Sequence, residues 1–218
     1  MRIGVGRSGE IVGDLRLPGD PLGLVVFAHG SGSSRHSPRN RMVATHRNEA
    51  GFGTLLIDLL TTGEEAVDVR TAELRFDIAL LAERLHAASE AAAAEPRTRD
   101  LGLGYFGAST GAAAALMAAA ERPERVRAIV SRGGRPDLAG DALPLVTAPT
   151  LLIVGGVDTA VIGMNRAAAD RMRCEREIAI VPGATHLFEE PGTLEEVARL
   201  AAGWFEQHRP DAHGPTPP

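Results

Sequence analysis

Leu101-Gly102-Leu103-Gly104-Tyr105-Phe106-Gly107-Ala108-Ser109-Thr110-Gly111 leads from an apolar stretch straight into the alanine-rich segment 112–120. The first part predicts a buried strand over 101–107 and the second a helix over 110–120. Between them stands G-x-S-x-G at 107–111, in the strand–turn–helix setting that a nucleophile elbow requires. Such a turn forces Ser109 into a strained backbone conformation that lifts its hydroxyl above the sheet. A side chain two residues to either side would clash, which accounts for Gly107 and Gly111. The helix start offers the Thr110 backbone N–H and a favourable dipole to a developing oxyanion. The plainer reading is a glycine-rich turn with an incidental serine, and the strand and helix on either side favour the elbow.

The same alternation extends along the chain. Strands are predicted over 1–6, 10–17, 24–28, 54–60, 126–130, 150–154 and 177–181. Helices are predicted over 39–50, 71–94, 160–172 and 194–208. Leu74, Ile78, Leu81 and Leu85 fall on one face of the second of these, and Thr193 with Glu196 reads as a capping box opening the last. Strands alternating with helices imply an α/β fold, a mostly parallel sheet with helices on both faces. Only 16 positions separate Gly134 from Thr150, too few for a large cap domain. A single domain over 1–209 is expected, followed by a disordered tail over 210–218.

A serine needs a base to take its proton. Val181-Pro182-Gly183-Ala184-Thr185-His186 puts His186 in the loop after the last strand, and Val154-Gly155-Gly156-Val157-Asp158 puts Asp158 just after an earlier one. Taken singly, His186 reads as a surface-loop histidine and Asp158 as a helix N-cap. Together with Ser109 they keep the chain order Ser, Asp, His that accompanies this elbow. Asp137, after the strand 126–130, is the competing acid. His29-Gly30-Ser31-Gly32-Ser33 closes the first buried strand and can aim a second N–H at the substrate oxygen; Ser31 is assigned that role, with Gly32 as the alternative. His29 is expected to hold the loop. Arg35, four residues beyond Ser31, and Arg132, at the end of the strand 126–130, are candidates for gripping a substrate carboxylate. Against this, Arg35, Arg39 and Arg41 could form a solvated face, and both candidate arginines could pair with Glu189 and Glu190.

With these residues in view, the chain resembles the α/β-hydrolase family, and within it the small dienelactone-hydrolase-like members. His29-Gly30-Ser31, Gly107–Gly111, Gly155-Gly156-Val157-Asp158 and Ala184-Thr185-His186 carry the resemblance, over roughly residues 20–208. It implies the α/β-hydrolase fold. The chain departs from the pattern at position 109, where dienelactone hydrolases themselves carry a cysteine; serine favours ordinary ester hydrolysis. The expected activity is a Ser-His-Asp serine hydrolase that cleaves a small soluble ester, thioester or lactone, without metal or organic cofactor. An acyltransferase or a perhydrolase could use the same triad, and a non-catalytic binding module could keep the same pocket.

Composition narrows the rest. Of 218 residues, 44% are hydrophobic and 23% charged, which excludes wholesale disorder. Aromatic residues are only 4% and the net charge is −5, so neither a stacking platform nor a basic field for nucleic acid or membrane is expected. All 23 basic residues are arginine, which excludes a Walker A lysine and a lysine Schiff base. A lone cysteine, Cys174, permits neither an internal disulfide nor a cysteine zinc site. Gly4–Gly9 and Gly102–Gly107 both fit G-x-G-x-x-G, but neither lies between a strand and a helix. No signal-peptide run or membrane span is visible and the lone cysteine fits a reducing compartment, so a cytoplasmic protein is expected; the lysine-free, alanine-rich composition resembles that of a GC-rich bacterial genome.

Overall fold

The computed structural model describes residues 1–209; the tail expected over 210–218 lies outside the described residues. Its strands are β1 (Arg2–Gly4), β2 (Glu10–Arg16), β3 (Leu24–Ala28), β4 (Gly53–Ile57), β5 (Leu103–Ala108), β6 (Val126–Arg132), β7 (Thr150–Gly155) and β8 (Arg176–Val181). They form one eight-stranded sheet in the order β1-β2-β4-β3-β5-β6-β7-β8. β1 pairs with β2 and β2 with β4 antiparallel; every other pairing is parallel. The helices are α1 (Pro38–Glu49), α2 (Thr62–Thr71), α3 (Ile78–Ala94), α4 (Thr110–Glu121), α5 (Thr159–Arg171) and α6 (Thr193–Gln207).

Central strands buried on both faces read as unbroken apolar runs, and all five residues of both β3 and β4 are buried. Each face has its own core. On one, α3 and α4 bury Leu81, Leu85 and the alanines of α4 with Ala168 of α5. On the other, α1 and α6 bury Val43, Val197, Ala201, Trp204 and Phe205. Each large apolar side chain so buried contributes about 1.5–3 kcal/mol. The alanine run of α4 suits its central place, where small side chains let the helix lie close against the sheet.

Two expectations are corrected. The helix expected over 71–94 begins only at Ile78: Thr71 closes α2, a helix not expected from the sequence, Ala72 turns left-handed at φ 56°, and α3 starts after Asp77, whose carboxylate accepts from the Leu80 N–H at 3.0 Å. Leu74 therefore packs from the connecting 3-10 turn rather than from the helix. The capping box expected at Thr193 and Glu196 is absent. Gly192, left-handed at φ 80°, is the cap; the Thr193 hydroxyl donates to the Glu190 carbonyl, and Glu196 pairs with Arg199. The box is at Thr61 and Glu64 instead, at the start of α2.

Parallel strands with crossover helices bring the carboxyl ends of β3, β5, β6, β7 and β8 to one edge of the sheet, where the loops can carry a site. Among the described residues there is no cap domain. Between β6 and β7 the chain makes only a 3-10 stretch, Pro136–Leu145. No helix among the described residues is long and apolar enough to cross a membrane.

Candidate active site

Ser109 stands at the N-cap of α4 with φ 50° and ψ −121°, a conformation that costs a non-glycine residue about 1–3 kcal/mol. The surroundings hold it there. Its N–H donates to the Arg132 carbonyl at 3.3 Å, and its carbonyl accepts from the Ala112 and Arg135 N–H groups, each at 3.1 Å. The flanking glycines are steric necessities: a Cβ on Gly107 would sit 2.7 Å from the Ala112 nitrogen, and one on Gly111 2.8 Å from the Ala28 carbonyl carbon. Gly30 brings the neighbouring loop equally close, since a Cβ there would sit 3.0 Å from that of Ser109.

His186 lies in the loop after β8 with its Nδ1 2.8 Å from Asp158 Oδ2. Asp158 occupies the N-cap position of α5 but makes no side-chain cap; its carboxylate is turned to the imidazole. The competing acid, Asp137, is held elsewhere, bidentate to Arg135 at 2.9 and 2.7 Å. Phe188, left-handed at φ 56° and 1% exposed, pins the histidine loop into the core.

Ser109 and His186 line one cavity of about 190 Å³ with Ser31, Arg39, Arg132 and Leu187. Thr110 is buried and shares the adjoining crevice with Ser31 and Gly32. Among the described residues the Ser31 and Thr110 amides donate to no protein acceptor. A larger cavity of about 250 Å³ opens at the opposite end of the sheet, by Thr98, Arg99 and Arg125, without a nucleophile–base–acid set.

His29 secures the loop. Its Nε2 accepts from the Leu59 N–H at 3.1 Å, which leaves the proton on Nδ1 to donate to the Gly30 carbonyl at 2.9 Å. Burial lowers its pKa below the ordinary 6.5, so the ring is neutral.

The two arginines separate. Arg35 does not line the cavity: its guanidinium is bound to Asp58 at 2.5 Å and to Asp14 at 3.3 Å. Arg132 does line it, and is only 6% exposed. Its contacts are Asn40 Oδ1 at 3.5 Å and the Phe188 ring, 5.9 Å from the guanidinium carbon. Its Nε is buried without a partner, and no carboxylate pairs with it among the described residues. Burial, and then the nearby Arg39 guanidinium, push its pKa down to about 10, so it remains charged at neutral pH. Arg39 lines the cavity where Arg35 does not. Its Nη1 reaches Glu189 at 3.2 Å and its Nε is also buried without a partner. Ser37-Pro38 was the available signal: serine as N-cap and proline in the first turn begin α1 at Pro38, and so put Arg39 at the helix start facing the site.

No family model matches the chain. Two curated Mycobacterium tuberculosis proteins, from strains CDC 1551 and H37Rv, are 58% identical over 198 residues; both are named as candidate phosphoribosyl transferases. The match covers 91% of this chain but 44% of theirs, so the chain spans less than half the length of those relatives. Among solved structures, a dienelactone hydrolase from Anabaena variabilis is 56% identical, with a TM-score of 0.94 over 96% of this chain and 97% of that one. The chain belongs to the dienelactone-hydrolase-like α/β-hydrolase family. A serine hydrolase without a lid from Xanthomonas campestris (19% identity, TM-score 0.77, 98% of this chain and 95% of that one) shares the α/β-hydrolase fold. So does Est1E from Butyrivibrio proteoclasticus (16% identity, TM-score 0.78, 95% and 98%).

Proposed function

We propose that this α/β hydrolase cleaves a small soluble ester, thioester or lactone through an acyl-enzyme on Ser109. Ser109 Oγ attacks the acyl carbonyl while His186 takes its proton and then returns it to the leaving group. Asp158 orients the imidazole and stabilises its cationic form. The Thr110 and Ser31 amides bind the oxyanion, and water releases the acyl group by the same route in reverse. The chemistry calls for no metal or organic cofactor. The observation that carries the reading is the Asp158 carboxylate, which leaves its helix uncapped and bonds to a histidine sharing a cavity with an elbow serine.

The proposed substrate carries a carboxylate or another anion beside the scissile bond. A buried charge without a counter-ion is costly, and Arg132, with Arg39 beside it, is such a charge in the wall of the cavity. An anionic substrate would supply what the fold withholds. The phosphoribosyl transferase name belongs to proteins more than twice the matched length, and nothing in the Ser109 site accounts for it.

The test is a panel of esters, thioesters and lactones, each neutral or carrying a free carboxylate, assayed with wild type and Ser109→Ala. Turnover by wild type only, with anionic members preferred, is the expected result. Equal turnover by a folded Ser109→Ala would reject the site.

A further inference from the structure

The segment from His29 to Arg35, which carries the Ser31 amide, is fastened at both ends to two consecutive residues. At its start the His29 ring accepts the Leu59 N–H. At its end Asp58 receives Arg35 twice, its Oδ1 accepting the Arg35 backbone N–H at 2.9 Å and its Oδ2 the guanidinium at 2.5 Å. Asp14 of β2 holds the remaining side of the guanidinium, Nε to Oδ1 at 3.3 Å. Asp58 is itself anchored, its N–H donating to the Val12 carbonyl at 2.9 Å. Between the two anchors the chain has Gly32, left-handed at φ 67°, and its internal bonds meet on one atom, the Gly30 carbonyl, which accepts from the Ser33 N–H at 3.2 Å and from His29 Nδ1 at 2.9 Å. A loop so short and so sparsely bonded depends on its ends for its shape.

We infer that Asp58, acting through Arg35, is a positioning residue that sets the direction of the Ser31 amide toward the oxyanion. This rests on the proposed role of Ser31 and adds the device that fixes it. An oxyanion donor acts only if it is held where the charge develops. Loss of such a donor costs about 10²–10³-fold in kcat, and a displacement near 1 Å can cost about 10²-fold.

The experiment compares wild type, Arg35→Met, Arg35→Lys and Asp58→Asn on a neutral activated ester. Thermal melting confirms folding. The readouts are kcat, KM, the Ki of a boronic acid that forms a tetrahedral adduct on serine, and the rate of serine labelling by a fluorophosphonate. Arg35→Met is expected to lower kcat about 10-fold, with KM within about twofold. The boronic acid and the labelling rate should weaken in parallel with kcat. Arg35→Lys should restore part of the loss, and Arg35→Met combined with Asp58→Asn should cost no more than the larger single loss. If Arg35→Met does not fold, Asp14→Asn, which removes only the outer contact, should show the same parallel losses at about 2- to 3-fold. A folded Arg35→Met with kcat and boronic acid affinity within twofold of wild type, or with a change confined to KM, would overturn the inference. Wild-type protein that the fluorophosphonate leaves unlabelled would instead overturn the underlying reading of the site, and the inference with it.

Discussion

Asp158 stands where a helix-capping side chain belongs, yet its Oδ2 lies 2.8 Å from His186 Nδ1 and α5 begins without a side-chain cap. A cap is worth about 0.5–2 kcal/mol. The fold forgoes that stabilisation where the carboxylate bonds instead to a histidine that lines the Ser109 cavity. Asp137, by contrast, spends its carboxylate on Arg135.

The two acids should therefore respond differently to removal of charge. Asp158→Asn is expected to lower kcat about 10³- to 10⁴-fold, the scale on which a mis-oriented imidazole fails. Asp137→Asn should change kcat less than about threefold and cost only a fraction of a kcal/mol in stability, as exposed ion pairs do. Steady-state kinetics and melting of both variants measure this, and a larger kcat loss at Asp137 would reverse the assignment.

Arg132 should affect stability and activity in opposite directions. Arg132→Met fills similar volume without burying an uncompensated cation, and is expected to raise stability by about 1–3 kcal/mol. The same change should cost an anionic ester about 10- to 100-fold in kcat/KM, the worth of a charged hydrogen bond of about 1.5–3 kcal/mol, and leave a neutral ester within about threefold. Arg39→Ala should lower the anionic preference by less, because Glu189 already engages it. Denaturant unfolding and matched ester pairs read both effects; an unchanged anionic-to-neutral ratio in both variants would make the arginines structural.

His29 predicts a pH signature. Burial lowers its folded pKa below the ordinary 6.5. Above that value the histidine is neutral in both folded and unfolded chains and contributes no slope. Below it the unfolded chain takes up a proton that the folded one refuses, so stability falls as the pH falls, until the folded pKa is passed. Unfolding free energies at pH 7.5 and 5 should therefore differ more in wild type than in His29→Gln. Equal differences would mean that the imidazole is protonated in the fold.

Much of this was legible in the residue pattern. The buried strands announced themselves as apolar runs, and the glycines around Ser109 pointed to a turn that steric contact now explains. The misses share a cause: a local pattern has several possible users in three dimensions. Thr193 and Glu196 fit a capping box, but Gly192 closes the turn first, while Thr61 and Glu64 form the real one at α2, a helix absent from the sequence expectation. Arg35 lies nearest Ser31 along the chain, but two acids from β2 and the end of β4 claim it. Arg39 reaches the cavity because α1 begins at Pro38. Which arginine lacks a counter-ion is a tertiary property, set by which carboxylates the sheet order brings near.

Reaction of the folded protein with a fluorophosphonate, followed by intact-mass measurement and peptide mapping, tests the central claim most directly. The account predicts a single adduct on Ser109, no adduct in Ser109→Ala, and slower labelling in Asp158→Asn. An adduct on another residue, or none on folded wild-type protein, would contradict it.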